Sequence, residues 1–360
     1  MNKKIILLGI TLFSMFFGAG NLIFAPFLGA QAASSTPFAL GGMLLTSVVM
    51  PVCSICIIAP YGNASDMISR IYKPLGPIFM TLVYLLIGPC IAIPRTASTA
   101  LEMWTWALPG SFWPILAVFA FFGAAYLMAI HPGKLKDILG KVMGPILLVL
   151  ILFVSVPLFF TPANIASPSP AYAGSPFFVG LNEGYQTMDI LAAFCFGIII
   201  TMNIQKMNMK NPQKALAKSA LVAGVLLAAV YILLAFATSR NSAILQEYSN
   251  GAQILSYAAM QTWGSFGQIL CGLIFLIACL NVCSGLLACC SEYFEETFHR
   301  FSYKTWLIIF TLAGALTACS GLDAILSWSG KLLSFICPVA IVILAIGLYN
   351  TWKDRKAKQI

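Results

Sequence analysis

The feature that most constrains this chain is a succession of apolar stretches, each near the length needed to cross a bilayer and almost free of charge. They lie at about residues 5–28, 38–60, 77–94, 112–130, 142–160, 187–204, 216–238, 266–290, 305–319 and 330–350. A helix rises 1.5 Å per residue, so about 20 apolar residues cross a hydrocarbon layer roughly 30 Å thick. Only 9% of the 360 residues are charged, whereas a soluble domain carries roughly 25% to face water. With a mean hydropathy of +0.92, an ordinary cytosolic or secreted globular protein is excluded. In lipid each segment must satisfy its own backbone polar groups. The expected class is therefore an all-α polytopic membrane protein of about ten transmembrane helices, with the lipid bilayer as its main solvent.

The formal charge of +9 suggests nucleic acid until the basic residues are placed. Seventeen of the 20 lie in one alternating set of connections: Lys3 and Lys4; Arg70 and Lys73; Lys134, Lys136 and Lys141; Lys206, Lys210, Lys214 and Lys218; Arg300 and Lys304; and Lys353, Arg355, Lys356 and Lys358. The opposite set holds only Arg95, Arg240 and Lys331. Cytoplasmic connections are the ones enriched in Lys and Arg, so both termini are expected in the cytoplasm, and no nucleic-acid partner is needed. The Pro- and Ser-rich stretch around Ser167 then falls outside and divides the spans five and five. The expected organisation is a first five-helix repeat at 1–160, an extracytoplasmic connection at 161–186, a second repeat at 187–350 and a basic cytoplasmic tail at 351–360. Five is odd, so the second repeat starts on the opposite side, an inverted arrangement common in secondary transporters. Lys3, Lys4 and the apolar run after them resemble a signal peptide, but the run continues to Leu28 and is read as a retained first helix.

Two places interrupt the apolar pattern. In Phe16-Phe17-Gly18-Ala19-Gly20-Asn21, two glycines and an asparagine weaken a helix at bilayer depth. Freed amides there suit a carboxylate and freed carbonyls a small cation; the alternative is a small-residue packing notch. The matching place in the second half is Asn182-Glu183-Gly184-Tyr185-Gln186-Thr187-Met188-Asp189, where Gly184 is expected to open the helix. Asp189 is either a carboxylate retained at depth for function or an N-cap at the membrane surface. Arg95, at the outer end of the third run, is a possible gate or carboxylate partner, or an interfacial anchor. Most of the 11 cysteines lie in apolar runs and read as small hydrophobes. The Cys53/Cys56 pair has no second pair or nearby histidine to complete a metal site. No HExxH, nucleophile elbow or Walker loop is present, and no enzyme activity or cofactor is expected.

Several blocks in order resemble the branched-chain amino acid:cation symporter family (LIVCS, BrnQ type). They are Phe17-Gly18-Ala19-Gly20-Asn21-Leu22-Ile23-Phe24, Gly88-Pro89 through Pro94-Arg95-Thr96-Ala97, and Pro132-Gly133-Lys134-Leu135. Gly184-Tyr185-Gln186-Thr187-Met188-Asp189, Asn250-Gly251-Ala252-Gln253-Ile254-Leu255, and Ala278-Cys279-Leu280 through Ser291-Glu292-Tyr293-Phe294 complete the set. The resemblance implies a leucine-transporter-type 5+5 inverted repeat and alternating-access import of leucine, isoleucine and valine, with methionine as a further candidate. It places the substrate against Gly18, Ala19, Gly20, Asn21, Thr187, Met188, Asp189 and Phe194. The amino acid's carboxylate meets the amides of residues 19–21, its ammonium meets carbonyls near Thr187 and Met188, and its side chain packs on Phe194. The coupling ion, Na⁺ in preference to H⁺, is placed between Phe17 and Gly20 on one side and Asn281 and Ser284 on the other; no other metal is implied.

The chain departs from the family pattern in two ways. Relatives usually have about twelve spans, so this chain reads as shortened at the C-terminus. The usually threonine-rich segment of span eight here reads Asn281-Val282-Cys283-Ser284, which leaves Asn281 and Ser284 as the oxygen donors for a hard cation, or Asp189 as a proton carrier. The alternatives to a symporter are a channel or pore, which needs polar rings along several spans, and a transport-inactive sensor or scaffold.

Overall fold

The computed structural model describes residues 3–104, 110, 112–131, 142–160, 163–196 and 212–357. Every regular element among them is helical. The first apolar run folds as α1 (Lys3–Phe16) and α2 (Ala19–Ala32). The second holds α3 (Thr36–Leu44) and α4 (Met50–Ile58), joined by a π-turn at Leu45–Val49. The third holds α5 (Leu75–Leu85) and α6 (Ala92–Glu102). Next come α7 (Phe112–Ala129) and α8 (Gly144–Ser155). The second half contains α9 (Pro176–Gln186), a helix α10 described over residues 189–196, and α11 (Pro212–Ser239). It ends with α12 (Gly251–Phe298), α13 (Tyr303–Ala318) and α14 (Leu322–Ala357). Among the described residues, six helical stretches are long and apolar enough to cross a membrane, and three shorter apolar helices accompany them.

The boundaries differ from the sequence expectation in instructive ways. The third run does not end at 94. Gly88 leaves helical geometry (ψ −124°) ahead of Pro89, the chain makes a π-turn at Leu86–Cys90, and helix resumes through Glu102. Pro89 lacks the N–H that a continuous helix needs. Arg95 therefore lies inside the third span, not at its outer end. The segment 161–186, expected as a connection, contains α9, so the sixth span becomes helical at Pro176. The polar residues at 182–186 hid this, because Asn182 and Gln186 hydrogen-bond Ser334 and the Gly330 carbonyl of α14, while the glycine face of α9 packs on α3. Gly184 does not open the helix; it is a packing residue. The Gly180/Gly184 pair on α9 lies directly against Ala39 and Met43 of α3 and Thr46 of the π-turn after it, a small-residue contact of the kind membrane helices use to approach closely. The Thr46 hydroxyl donates to the Leu181 carbonyl across it, at 3.0 Å. In α12, Gly264 (φ 61°) bends the chain, so the eighth apolar run begins after this bend. Residues 351–357 of the basic tail continue α14. The expectations for Lys134, Lys136, Lys141, Lys206, Lys210 and Lys358, and for the end of the sixth run at 197–204, concern positions outside the described residues.

The core is organised around the first and sixth spans. α11 packs along both α1 and α2, while α12 packs against α2 and α6. Lipid offers no hydrophobic drive for this assembly, so close backbone approach carries it. Gly251 abuts the Ile23 carbonyl, and Gly29 abuts Ala235 and Thr238. One end of the bundle is tied by polar contacts: Ser169 N–H to the Gln31 carbonyl at 2.9 Å, Asn164 N–H to the Arg240 carbonyl at 2.6 Å, and Gln246 Nε2 to the Ser167 carbonyl at 2.9 Å. The opposite end carries Lys4, Arg70 and Lys353.

Candidate functional site

The first break falls at Phe17 and Gly18, between α1 and α2. Gly18 is extended (φ −138°, ψ −156°), a conformation open to any residue, so its glycine answers to space: a Cβ would lie 2.7 Å from Val282 Cγ2. In a continuous helix the Gly18 N–H would bond the Ser14 carbonyl. Here it donates to Asn21 Oδ1 at 3.0 Å. The Ser14 carbonyl instead accepts from Asn281 Nδ2 at 2.7 Å, and the same nitrogen donates to Ser14 Oγ at 2.5 Å. Asn281 Oδ1 is buried with no hydrogen-bond partner, which leaves one hard oxygen beside the break. Ser284, one turn on, is fully buried and donates to the Asn281 carbonyl at 3.0 Å.

The second break falls at Thr187 and Met188. Met188 takes a left-handed conformation (φ 67°), which costs a side-chain-bearing residue roughly 1–2 kcal/mol. Thr187 Oγ1 donates back to the Gly184 carbonyl at 2.8 Å, ending α9, and α10 starts at Asp189. The two breaks touch each other. A Cβ on Gly20 would lie 3.1 Å from Thr187 Cα and 2.8 Å from Arg95 Nη2, so only glycine leaves both where they are.

Asp189 joins the two interrupted spans. It is 2% exposed, and its Oδ2 accepts from Asn21 Nδ2 at 3.1 Å and from the Tyr231 hydroxyl at 2.9 Å. Asn21 Nδ2 also donates to the Tyr231 oxygen. Asn21 therefore caps α2 with its oxygen and holds Asp189 with its nitrogen. The surface N-cap alternative for Asp189 does not describe this buried arrangement. Tyr231, fully buried on α11, was not legible as a site residue, because nothing in the apolar run around it distinguishes it from a packing aromatic.

Arg95 is 3% exposed. Its Nη1 donates to the Gln186 carbonyl at 2.8 Å, its guanidinium lies 5.6 Å over the Phe24 ring, and its Nε is buried without a partner. The interfacial-anchor alternative is thereby excluded. The displaced start of α6 after Gly88-Pro89 brings Arg95 to the two breaks.

A cavity of about 30 Å³ lies between these groups. Gly18, Ala19, Gly20, Asn21, Arg95, Thr187, Met188 and Asp189 line it, together with apolar residues that include Phe16, Ala192, Phe196 and Val282. By volume it holds about two waters, so anything larger enters only when the walls part. Four expected residues lie elsewhere. Phe194 points away and packs its ring on Phe79, with centroids 5.8 Å apart. The α10 face that starts at Asp189 repeats at 192 and 196, as 3.6 residues per turn requires, so Phe196 meets the cavity in its place. Phe17 stacks on Phe13 at 5.2 Å. Asn281 sits behind the break, against Ser14, and Ser284 bonds to its carbonyl, while Val282 between them in sequence faces the cavity.

This architecture is a transporter fold. Mhp1, a nucleobase-cation-symport-1 family transporter solved in a closed conformation with bromovinylhydantoin bound, superposes with a TM-score of 0.65 over 94% of this chain and 77% of its own, at 16% identity. The chain itself belongs to the family described as "Branched-chain amino acid transport protein", whose pattern matches residues 1–360. Its relatives include the branched-chain amino acid permease BraB of Bacillus subtilis, 35% identical over 98% of this chain and 82% of that protein. The permease BrnQ of the same organism is 36% identical over 99% and 84%, and BrnQ of Escherichia coli K12 is 32% identical over 100% and 83%. These relatives are named as permeases, not as enzymes.

Proposed function

We propose that this protein imports branched-chain amino acids, with leucine, isoleucine and valine as main substrates and methionine as a further one. Import occurs by alternating access on a 5+5 inverted repeat, driven by cation symport with Na⁺ favoured over H⁺. The observation that carries the reading is the contact of Gly20 with Thr187 and Arg95 at the meeting of two helix breaks. There the start of α2 presents backbone amides and the end of α9 presents carbonyls. A helix start favours anions and a helix end favours cations, so the pair matches the carboxylate and ammonium of an amino acid. Arg95, held on the Gln186 carbonyl with its Nη2 beside Gly20, adds a buried positive charge where the two breaks meet. Phe16, Ala192, Phe196 and Val282 supply an apolar wall for the side chain. One methylene in such a pocket is worth only about 1–3 kcal/mol, hence the expected overlap among apolar amino acids.

For the coupling ion, Na⁺ wants oxygen ligands. Support comes from Asn281 Oδ1, the buried oxygen without a hydrogen bond, with Ser284 and the carbonyls of the broken first span beside it. One elementary charge moved through 100 mV supplies about 2.3 kcal/mol, enough for roughly fifty-fold accumulation. A second reading, H⁺ coupling, rests on Asp189, whose buried carboxylate ties Asn21 and Tyr231 and whose protonation would loosen both. The distribution of basic residues supports cytoplasmic termini in a bacterial inner membrane, with the end holding Ser169 and Gln31 facing outward.

Uptake of labelled leucine into proteoliposomes, with Na⁺ and pH gradients imposed separately, tests the reading. Accumulation should follow the Na⁺ gradient. Accumulation in Na⁺-free medium that follows the pH gradient replaces Na⁺ by H⁺, and accumulation driven by neither gradient overturns symport.

A further inference from the structure

A second cavity lies on the outward side of the first, and it is the larger of the two. It measures about 200 Å³ against about 30 Å³ for the central one, and they have no lining residue in common. The wall between them runs through Gln186, whose carbonyl binds Arg95 and whose Nε2 donates to the Gly330 carbonyl at 3.2 Å. Phe24, under the Arg95 guanidinium, completes it. The outer cavity has apolar walls at Ile23, Phe24, Phe27 and Leu326.

Two polar groups converge on this space. Glu183, on α9, contributes a half-buried carboxylate, and no lysine or arginine is among the lining residues. Asn250 caps α12 by accepting the Gln253 N–H at 3.0 Å on its oxygen. Its own Nδ2 is buried without a hydrogen-bond partner, in a residue only 2% exposed. A buried donor left unsatisfied costs about 1–3 kcal/mol, and capping of α12 needs only the oxygen of that side chain. An acid, an amide donor and an apolar wall form the complement of a zwitterionic apolar amino acid. Size agrees, since a cavity of about 150 Å³ is enough for benzene.

We infer that this outer cavity is a second amino-acid site, which receives the substrate before it reaches the central cavity. Glu183 takes the ammonium, Asn250 Nδ2 takes the carboxylate, and Phe24, Phe27 and Leu326 take the side chain. Opening of the Gln186–Arg95 contact then passes the substrate inward. This inference rests on the proposed amino-acid import, and its failure is separable from the failure of that reading.

The test is equilibrium binding of labelled leucine to the purified full chain in lipid nanodiscs, counted as equivalents per protein. The wild type should bind two. Glu183→Gln and Asn250→Ala should each weaken one equivalent about tenfold, as expected for loss of a charge-assisted contact, and leave the other unchanged. Leu326→Trp, which fills the outer cavity, should abolish the same equivalent, and Gly20→Leu should abolish only the inner one. Thermal melting of each variant separates loss of a site from loss of the fold. A single equivalent in the wild type, unaffected by Glu183→Gln and Leu326→Trp, overturns the outer site while import stands. No leucine binding at all overturns both.

Discussion

The two helix breaks meet at one cavity, yet they are built in opposite ways. The first is written into its own residues. Gly18 and Gly20 make room, and Asn21 supplies the oxygen that takes the Gly18 N–H from its helical partner. The second carries no glycine at its turn: Met188 is held at φ 67°, while the nearby Gly184 serves packing on α3. A break encoded by small residues follows from local sequence, whereas one imposed on a methionine persists only because its surroundings over-determine it. Here those surroundings are Gly20 pressing on Thr187, Arg95 on the Gln186 carbonyl, and Asn21 and Tyr231 on Asp189.

That contrast can be broken by substitution, and the largest effect belongs to the point of contact. Gly20→Leu drives a side chain into Arg95 and the Thr187 backbone, where overpacking alone costs about 1–3 kcal/mol. Central-site leucine binding should vanish while the protein still melts cooperatively; unchanged affinity would remove the meeting of the two breaks as the site. Asp189→Asn keeps the shape but removes the charge that two donors address. Hydrogen bonds to charged groups contribute about 1.5–3 kcal/mol, so leucine transport should fall roughly tenfold or more. Tyr231→Phe should reproduce part of that loss, and a Tyr231→Phe variant as active as wild type would separate Tyr231 from the site.

A smaller effect tests whether the first break needs glycine for space and not for backbone freedom. Gly18→Ala should lower uptake about tenfold by crowding Val282, and adding Val282→Ala should restore most of it. No rescue would mean that the conformation of Gly18, and not its contact, is what matters. The smallest effect is expected at the second break. Met188→Gly relieves roughly 1–2 kcal/mol of left-handed strain but gives up the packing of a buried side chain. The melting temperature in detergent should therefore shift by only a few degrees, and a large loss would show that the methionine side chain, not its backbone, holds the turn.

These differences explain what could be read in advance. The first break, Asp189 and the Gly88-Pro89 block with Arg95 stood out, because glycine, proline and charge are rare and costly in lipid, but the sequence left Asp189 between depth and surface and put Arg95 at the outer end of its run. Phe196 was missed in favour of Phe194 because helical phase is fixed only once the start of α10 is known. The helix α9 was missed because its small residues pack on α3 and its polar Asn182 and Gln186 bond to α14, and hydropathy cannot tell a loop from a helix shielded by protein. Tyr231 was missed because its partner lies 42 residues away in sequence and nothing local marks it.

By itself, the sequence determined the solvent, the number of apolar runs, the gathering of basic residues in one alternating set of connections and the place of the first interruption. All of these follow from the cost of leaving charge or unpaired backbone in hydrocarbon, which acts residue by residue. Only the tertiary structure decided which interrupted helices touch, that Arg95 turns inward, that Asn21 joins Asp189 to Tyr231, and that a second cavity lies beyond Gln186 from the central one. Those outcomes depend on how closely distant backbones approach, and glycines set that distance only in pairs of segments that local sequence does not bring together.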